Sequence, residues 1–325
     1  MIQILAFVLI TARLGLPANN QQLIVEPPIS TAAAETKTRT SRSFLHAGGA
    51  EIEIDIELKN SALQTDDVLA WVRRATAAAT TYYGRFPVRR VRVSVIQNND
   101  DDQSIHGTTW GDVDGFQGVS RMRLGRAVSR ADLEADWTMT HELVHMAISS
   151  LADEHHWLEE GLATYIEPIA RAQDGQLPAA KVWESMASGM SEGEPQNGDR
   201  GLDRTHTWGR TYWGGALFCL IADVEIRRAT ANRKGLQDAL RAIVEEGATI
   251  DTEWPLQRVL SVGDKATGTN VLTSLYNSWK ETAVPVNLGQ LWLQLGVHVN
   301  RQGIAFDSDA PLADIRRSIT KRPNR

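Results

Sequence analysis

The chain has 325 residues, 42% of them hydrophobic, enough to bury one large core or two modest ones. Its formal net charge of -6 argues against nucleic acid, which would call for a basic stripe, and no Gly-rich phosphate loop is present. A single cysteine, Cys219, excludes an internal disulfide framework and a Cys-rich structural zinc site.

The N-terminus opens on an apolar run from Ile2 to Ile10, too short to span a bilayer but suited to the core of an export signal. Residues 1–18 are therefore expected to be a signal peptide, with a periplasmic or secreted mature protein. The alternative is a buried N-terminal strand in a cytoplasmic protein. No later stretch qualifies as a transmembrane helix. Residues 19–43 read as a linker, because Pro27 to Ser43 is rich in Thr, Ala, Ser and Pro.

Glu51 to Leu58 alternates strictly, with Ile52, Ile54, Ile56 and Leu58 on one face and acids on the other. That is a half-buried strand with an acidic solvent face. Asp66 to Tyr83 has helical spacing and ends at Gly84. Alternation returns in Val88 to Gln97, and more weakly from Val119 to Leu124. Between them, Asn98 to Gln103 is polar but lacks the spacing of a calcium loop.

Ser129 and Asp132 form a capping box that predicts a long helix from Arg130 to Leu151. Later helices are expected over 157–171, 212–228, 236–246, 271–280, 288–295 and 311–319. Strands come early and helices late, an α+β arrangement. Cys219 lies in an apolar run, so it reads as a buried small hydrophobe.

The chemistry concentrates at His141-Glu142-Leu143-Val144-His145. On a helix, residues four apart differ by about 40° in direction and one turn in height. Both imidazoles can thus reach a single zinc ion, while Glu142 stands beside that face as a general base. Leu133, Trp137, Val144, Ile148 and Leu151 lie largely to one side of the His pair, as an apolar face. A catalytic zinc needs a third protein ligand, and the next helix offers Glu159 and Glu160.

This HExxH helix, followed by Trp157-Leu158-Glu159-Glu160-Gly161-Leu162-Ala163-Thr164-Tyr165, resembles the gluzincin clan of metallopeptidases. The resemblance implies a zincin-like catalytic domain, with a small N-terminal β-sheet and a mostly helical C-terminal part. It assigns Glu160, directly before Gly161, as the third ligand, with Thr164 one turn on as its supporting partner. Tyr212 to Phe218, Ala222 to Arg227 and Gly235 to Arg241 are similar to the catalytic segment of the glycyl aminopeptidase family. Two departures from that family are expected in the sequence as read: no PDZ-like domain after the catalytic part, and only a short remnant of the long N-terminal β-domain. The clan's aminopeptidases use a downstream Tyr to stabilise the oxyanion. Tyr212 matches it best, with His206 as rival.

The implied boundaries are a metallopeptidase domain over 44–250 and a helical segment, 251–325, packed on it. The expected activity is hydrolysis of peptide or protein substrates with one zinc ion, whether from the N-terminus or internally. The alternatives are a catalytically silent binding protein of the same fold and a zinc hydrolase of a non-peptide amide. His155 and His156 read as loop or cap residues, and Glu134 and Glu159 as candidate anchors for a substrate amine. Arg121 and Arg123 stand either in the cleft or on an exposed strand face. The tryptophans near the motifs (Trp110, Trp137, Trp157, Trp208 and Trp213) read mainly as core, with an aromatic subsite wall as the rival.

Overall fold

The computed structural model describes residues 38–59, 62–301 and 303–323. The segment 1–18 read as an export signal, and residues 19–37 of the expected linker, lie outside these.

The first strands, β1 (Thr38–Ala47) and β2 (Ala50–Lys59), pair antiparallel around Gly48-Gly49, whose φ angles of 57° and 83° suit a two-residue hairpin turn. Residues 38–43 are thus strand where linker was expected. Their polar side chains belong to an edge strand, made by its ladder to β2 rather than by its own hydrophobicity. In β2 the isoleucines are buried as the alternation requires. Arg42 and Arg92 cover the acidic face through Glu53 and Asp55. The helix α1 (Thr65–Tyr83) stops at Gly84, where φ is 80°, and crosses over to β3 (Arg90–Gln97), parallel to β2. A second hairpin, β4 (Ile105–Val113) and β5 (Phe116–Leu124), turns at Asp114-Gly115 with φ of 51° and 78°. The sheet order β1-β2-β3-β5-β4 leaves β4 on an edge.

The helix expected over 130–151 is broken. α2 (Arg130–Ala135) opens with the Ser129–Asp132 capping box and ends at Asp136, whose backbone is extended. The Asp136 carboxylate accepts from the Met139 amide and from Trp71 Nε1, at 3.0 and 2.9 Å. A short acid that caps the following turn outcompetes continuation of the preceding one. α3 (Thr138–Val144) then carries the motif, and His145 continues its path into a 3₁₀ turn, His145–Ala147.

α4 (His156–Gln173) follows, then α5 (Ala179–Gly189), a π-helical turn at Arg210–Gly214, α6 (Gly215–Ala229), α7 (Leu236–Glu245), α8 (Leu256–Thr267), α9 (Val271–Trp279) and α10 (Leu288–Leu295). A hairpin, β6 (Val297–Asn300) with β7 (Gly303–Phe306), precedes α11 (Ala313–Thr320). β4, α5, α8 and this hairpin were not expected; β4 alternates only weakly, whereas α8 does carry helical periodicity through Leu256, Val259, Leu260 and Gly263. The fold is α+β, a five-stranded mixed sheet followed by a mostly helical region.

Two apolar clusters organise these elements. One lies under the sheet, where Ile52, Ile54, Val91, Val93 and Met122 meet Val68, Trp71 and Val72 of α1 and Met139 and Leu143 of α3. The other is helical, and includes Trp157, Tyr165, Leu217, Phe218, Cys219, Leu240 and Leu272 together with Val144. α3 therefore contributes to both, which pins the motif between sheet and helices. Burial pushes the Cys219 thiol well above its ordinary pKa, as expected of an inert core residue. Among the described residues no helix is long and apolar enough to cross a membrane.

Candidate active site

α3 lies against the sheet edge because two glycines leave room for it. A Cβ on Gly107 would stand 2.3 Å from Glu142 Cγ, and one on Gly118 would stand 2.8 Å from Met146 Sδ. On the other side α4 approaches α6 backbone to backbone: a Cβ on Gly161 would stand 2.3 Å from Gly215 Cα. These approaches position the three elements that carry the site.

His141 and His145 present perpendicular rings with centroids 4.9 Å apart. Glu160 of α4 reaches between them. Its Oε2 is 3.2 Å from His141 Nε2 and 3.7 Å from His145 Nε2. Donors about 2.0–2.1 Å from a tetrahedral zinc would themselves be about 3.3 Å apart, so this spacing fits one ion. Chemistry agrees, because two imidazole nitrogens and a carboxylate oxygen converge with every candidate ligand atom within 4.8 Å of the others. Such a set of electron-pair donors is what a divalent cation satisfies. Burial alone would raise the Glu160 pKa, but His145, His141 and His156 together hold it down at about 2.

Glu142 is buried beside this group. Its Oε2 accepts a 2.7 Å hydrogen bond from the Thr109 hydroxyl, which sits 2.8 Å from the Ser120 hydroxyl. Ser120 is fully buried, so the chain of hydroxyls runs from the sheet interior to the carboxylate. Burial raises the Glu142 pKa, and the His145 charge and the Thr109 bond partly oppose the rise. Gly107, Thr109 and Ser120 escaped sequence reading because β4 and β5 meet α3 only in three dimensions. The alternation of β4 was the one signal available.

Tyr212 lies in the π-helical turn, its ring nearly parallel to that of His141 at 6.4 Å between centroids. Burial, followed by the Glu160 and Glu142 charges, raises its pKa, so the phenol stays protonated. His206, the alternative, is exposed, and none of the hydrogen bonds or ion pairs of the described residues ties it to the cluster. Thr164 is half-buried, and among the described residues no hydrogen bond ties it to Glu160. The partner of Glu160 Oε1 is instead His156, whose Nε2 stands 3.5 Å away. His156 Nδ1 is 3.0 Å from Glu159 Oε2, and Glu159 Oε1 accepts from the Leu151 amide at 2.9 Å. His155 has the structural role: with Trp157 Nε1 and Tyr276 OH it surrounds the buried Asp203 carboxylate, anchoring the start of α4.

Arg121 and Arg123 are exposed on the sheet face opposite α3, where Arg121 lies over the Trp110 ring. They do not line the cleft. Period two decides this, since Ser120 and Met122 point the other way. Trp157 is buried and Trp213 packs on the helical core, whereas Trp137, expected on the apolar face, is exposed.

No family model matches the sequence, and no curated protein does. Among solved structures the chain is similar to an aminopeptidase N family protein from Idiomarina loihiensis. The TM-score is 0.59 at 13% identity, covering 84% of this chain and 53% of that one. It is also similar to an M1 zinc metallopeptidase from Deinococcus radiodurans, with TM-score 0.50 and 15% identity over 78% of this chain and 53% of that one. The same figures hold for a two-domain M1 zinc metallopeptidase mutant bound to L-arginine. This chain spans about half the length of each. The likeness establishes the fold, that of an M1 peptidase catalytic domain. Within it, His141, His145 and Glu160 form a group that resembles an HExxH…E zinc site.

Proposed function

We propose that the protein is a gluzincin-type zinc peptidase, similar to the glycyl aminopeptidase family in its catalytic part, with His141, His145 and Glu160 as the metal ligands. The observation that carries this reading is the position of Glu160 Oε2, within 3.2 and 3.7 Å of the two imidazole nitrogens. When bound, the ion supplies Lewis acidity toward water and a peptide carbonyl. Glu142 takes the proton of the attacking water and delivers it to the leaving amine. Burial acts to raise its pKa, the direction that helps it keep the proton until the amine leaves. Thr109 fixes the orientation of Glu142. Tyr212, kept neutral, donates its O–H to the negative charge that develops on the carbonyl oxygen.

The acids carried by α2, α3 and α4 favour cleavage that does not read a free amine. On α2 to α4, Asp132 is spent in its capping box, and Glu134 pairs with Arg130 on the surface. Asp136 holds Trp71 and Met139, Glu159 holds Leu151 and His156, and Glu167 pairs with Arg171. With these acids already engaged, internal bonds are the substrate this reading favours. In this reading the catalytic domain runs over 38–250, with β1 whole, 251–325 is packed on it and 1–18 is an export signal.

The test is zinc per chain by mass spectrometry, with peptide cleavage by the wild type and by Glu142→Gln. One zinc in both proteins, with cleavage by the wild type alone, supports the reading. Zinc-free wild type at saturating metal, or unchanged cleavage by Glu142→Gln, overturns it.

A further inference from the structure

Three tryptophans of the described residues are exposed, and two of them stand at the metal-binding group. Trp137 immediately precedes α3 and is 54% exposed, while Trp208 lies just before the π-helical turn and is 63% exposed. Neither belongs to either apolar cluster, so neither holds the fold together through its ring. The third, Trp110, is turned to the far face of the sheet with Arg121.

The two indoles end a run of four rings. Trp208 stacks on Tyr212 with centroids 5.8 Å apart and planes at 27°. Tyr212 lies over His141 at 6.4 Å and 20°, and the edge of Trp137 meets His141 at 5.5 Å and 85°. The imidazole proposed to bind the metal is therefore inside the run, and a solvent-facing indole closes each end. A large apolar ring left in water gains stability only when something covers it. A chain laid along these four rings would pass His141 and meet an indole at each end. Neighbouring side chains of an extended peptide point to alternate sides, so the residues flanking the reacting bond would meet the rings.

Resting on the peptidase reading, we propose that Trp208 and Trp137 form the side-chain subsites of this cleft, and that they select polypeptide segments with an aromatic or bulky aliphatic residue next to the scissile bond. An aromatic residue stacks on either indole in an offset or edge-on manner, as the protein's own rings already do. An Ala there leaves both indoles wet.

Binding to the zinc-loaded Glu142→Gln protein separates this proposal from the catalytic one. Two ten-residue peptides, blocked at both ends and differing only by Phe or Ala at the two central positions, are titrated by calorimetry. Phe is expected to bind about tenfold more tightly, the factor that ~1.4 kcal/mol gives. Adding Trp208→Ala or Trp137→Ala should cut that preference to about threefold or less and leave affinity for the Ala peptide within twofold, while Trp110→Ala changes nothing. Because the replaced rings are exposed, melting temperature and zinc content should hold in every variant. Equal affinity for the two peptides, no binding of either, or a Phe preference that survives both substitutions overturns the subsites. An intact, tryptophan-dependent preference in a wild type that cleaves neither peptide upholds the subsites and rejects the peptidase.

Discussion

The Thr109 hydroxyl stands 2.7 Å from Glu142 Oε2, so the carboxylate of the motif is held from the edge strand and not from its own helix. A hydrogen bond donated to a carboxylate stabilises its charged form. Thr109→Val keeps the shape and removes the donor, so the Glu142 pKa, already raised by burial, rises further. In the proposed mechanism the base works deprotonated. The acid limb of the kcat/KM profile should therefore move to higher pH, with activity at neutral pH falling about 10- to 100-fold, as for a lost bond to a charged group. A profile superimposable on that of the wild type would show that Thr109 does not orient the base.

Zinc should stabilise the folded chain, since a ligand that binds only the native state raises its stability by mass action. The melting temperature of metal-stripped protein is expected to rise on addition of zinc and to rise equally in Glu142→Gln. In Glu160→Gln the shift should be largely lost, because the carboxylate that reaches both imidazoles is gone. Differential scanning fluorimetry reads all three, and an undiminished shift in Glu160→Gln argues for a different third ligand.

Gly161 sets how closely α4 approaches α6. In Gly161→Ala the new Cβ meets Gly215 Cα at 2.3 Å, a backbone contact that no rotamer relieves. The helices must part, at a cost of about 1–3 kcal/mol by the usual penalty for overpacking. Glu160 is the preceding residue, so zinc affinity should fall along with stability. Urea unfolding and zinc titration check the two effects, and a stable variant with unchanged zinc affinity would show that α4 adjusts freely.

Glu167 is buried on α4, and burial raises its pKa to about 7 despite Arg171 at 2.9 Å. The folded state thus holds this proton more tightly than the unfolded chain, whose carboxyl titrates near 4.5. The resulting contribution is fully present below pH 4.5 and is lost as pH rises to about 7, on the order of 3 kcal/mol over that span. The difference in unfolding free energy between wild type and Glu167→Gln should change with pH across this window, the wild type losing ground as pH rises. A difference that stays flat from pH 4.5 to 7 means that Glu167 is ionised throughout.

Much of the fold is readable from local pattern. The alternation in Glu51–Leu58, the run of α1 up to Gly84 and the Ser129–Asp132 cap all report backbone preferences over a few residues. Gly48-Gly49 and Asp114-Gly115 are turn signals of the same kind, although they acquire meaning only when both flanking strands are recognised. β4 was hidden because Gly107 and Gly111, which leave room for Glu142 and for the Ile250 backbone, weaken its alternation. The break at Asp136 was hidden for a similar reason, since one of its partners, Trp71, is 65 residues away.

The sequence by itself determined that two imidazoles and a carboxylate share one stretch of helix, and that strands precede helices, because helical rise and strand alternation are properties of adjacent residues. Only the tertiary structure decided that Glu160 meets the imidazoles while Glu159 is tied to Leu151 and His156. It alone turned Arg121 away from the cleft and left Trp137 and Trp208 facing solvent. Those outcomes depend on which surfaces α3, α4 and the sheet bury against one another, and burial is settled by residues far apart in the chain.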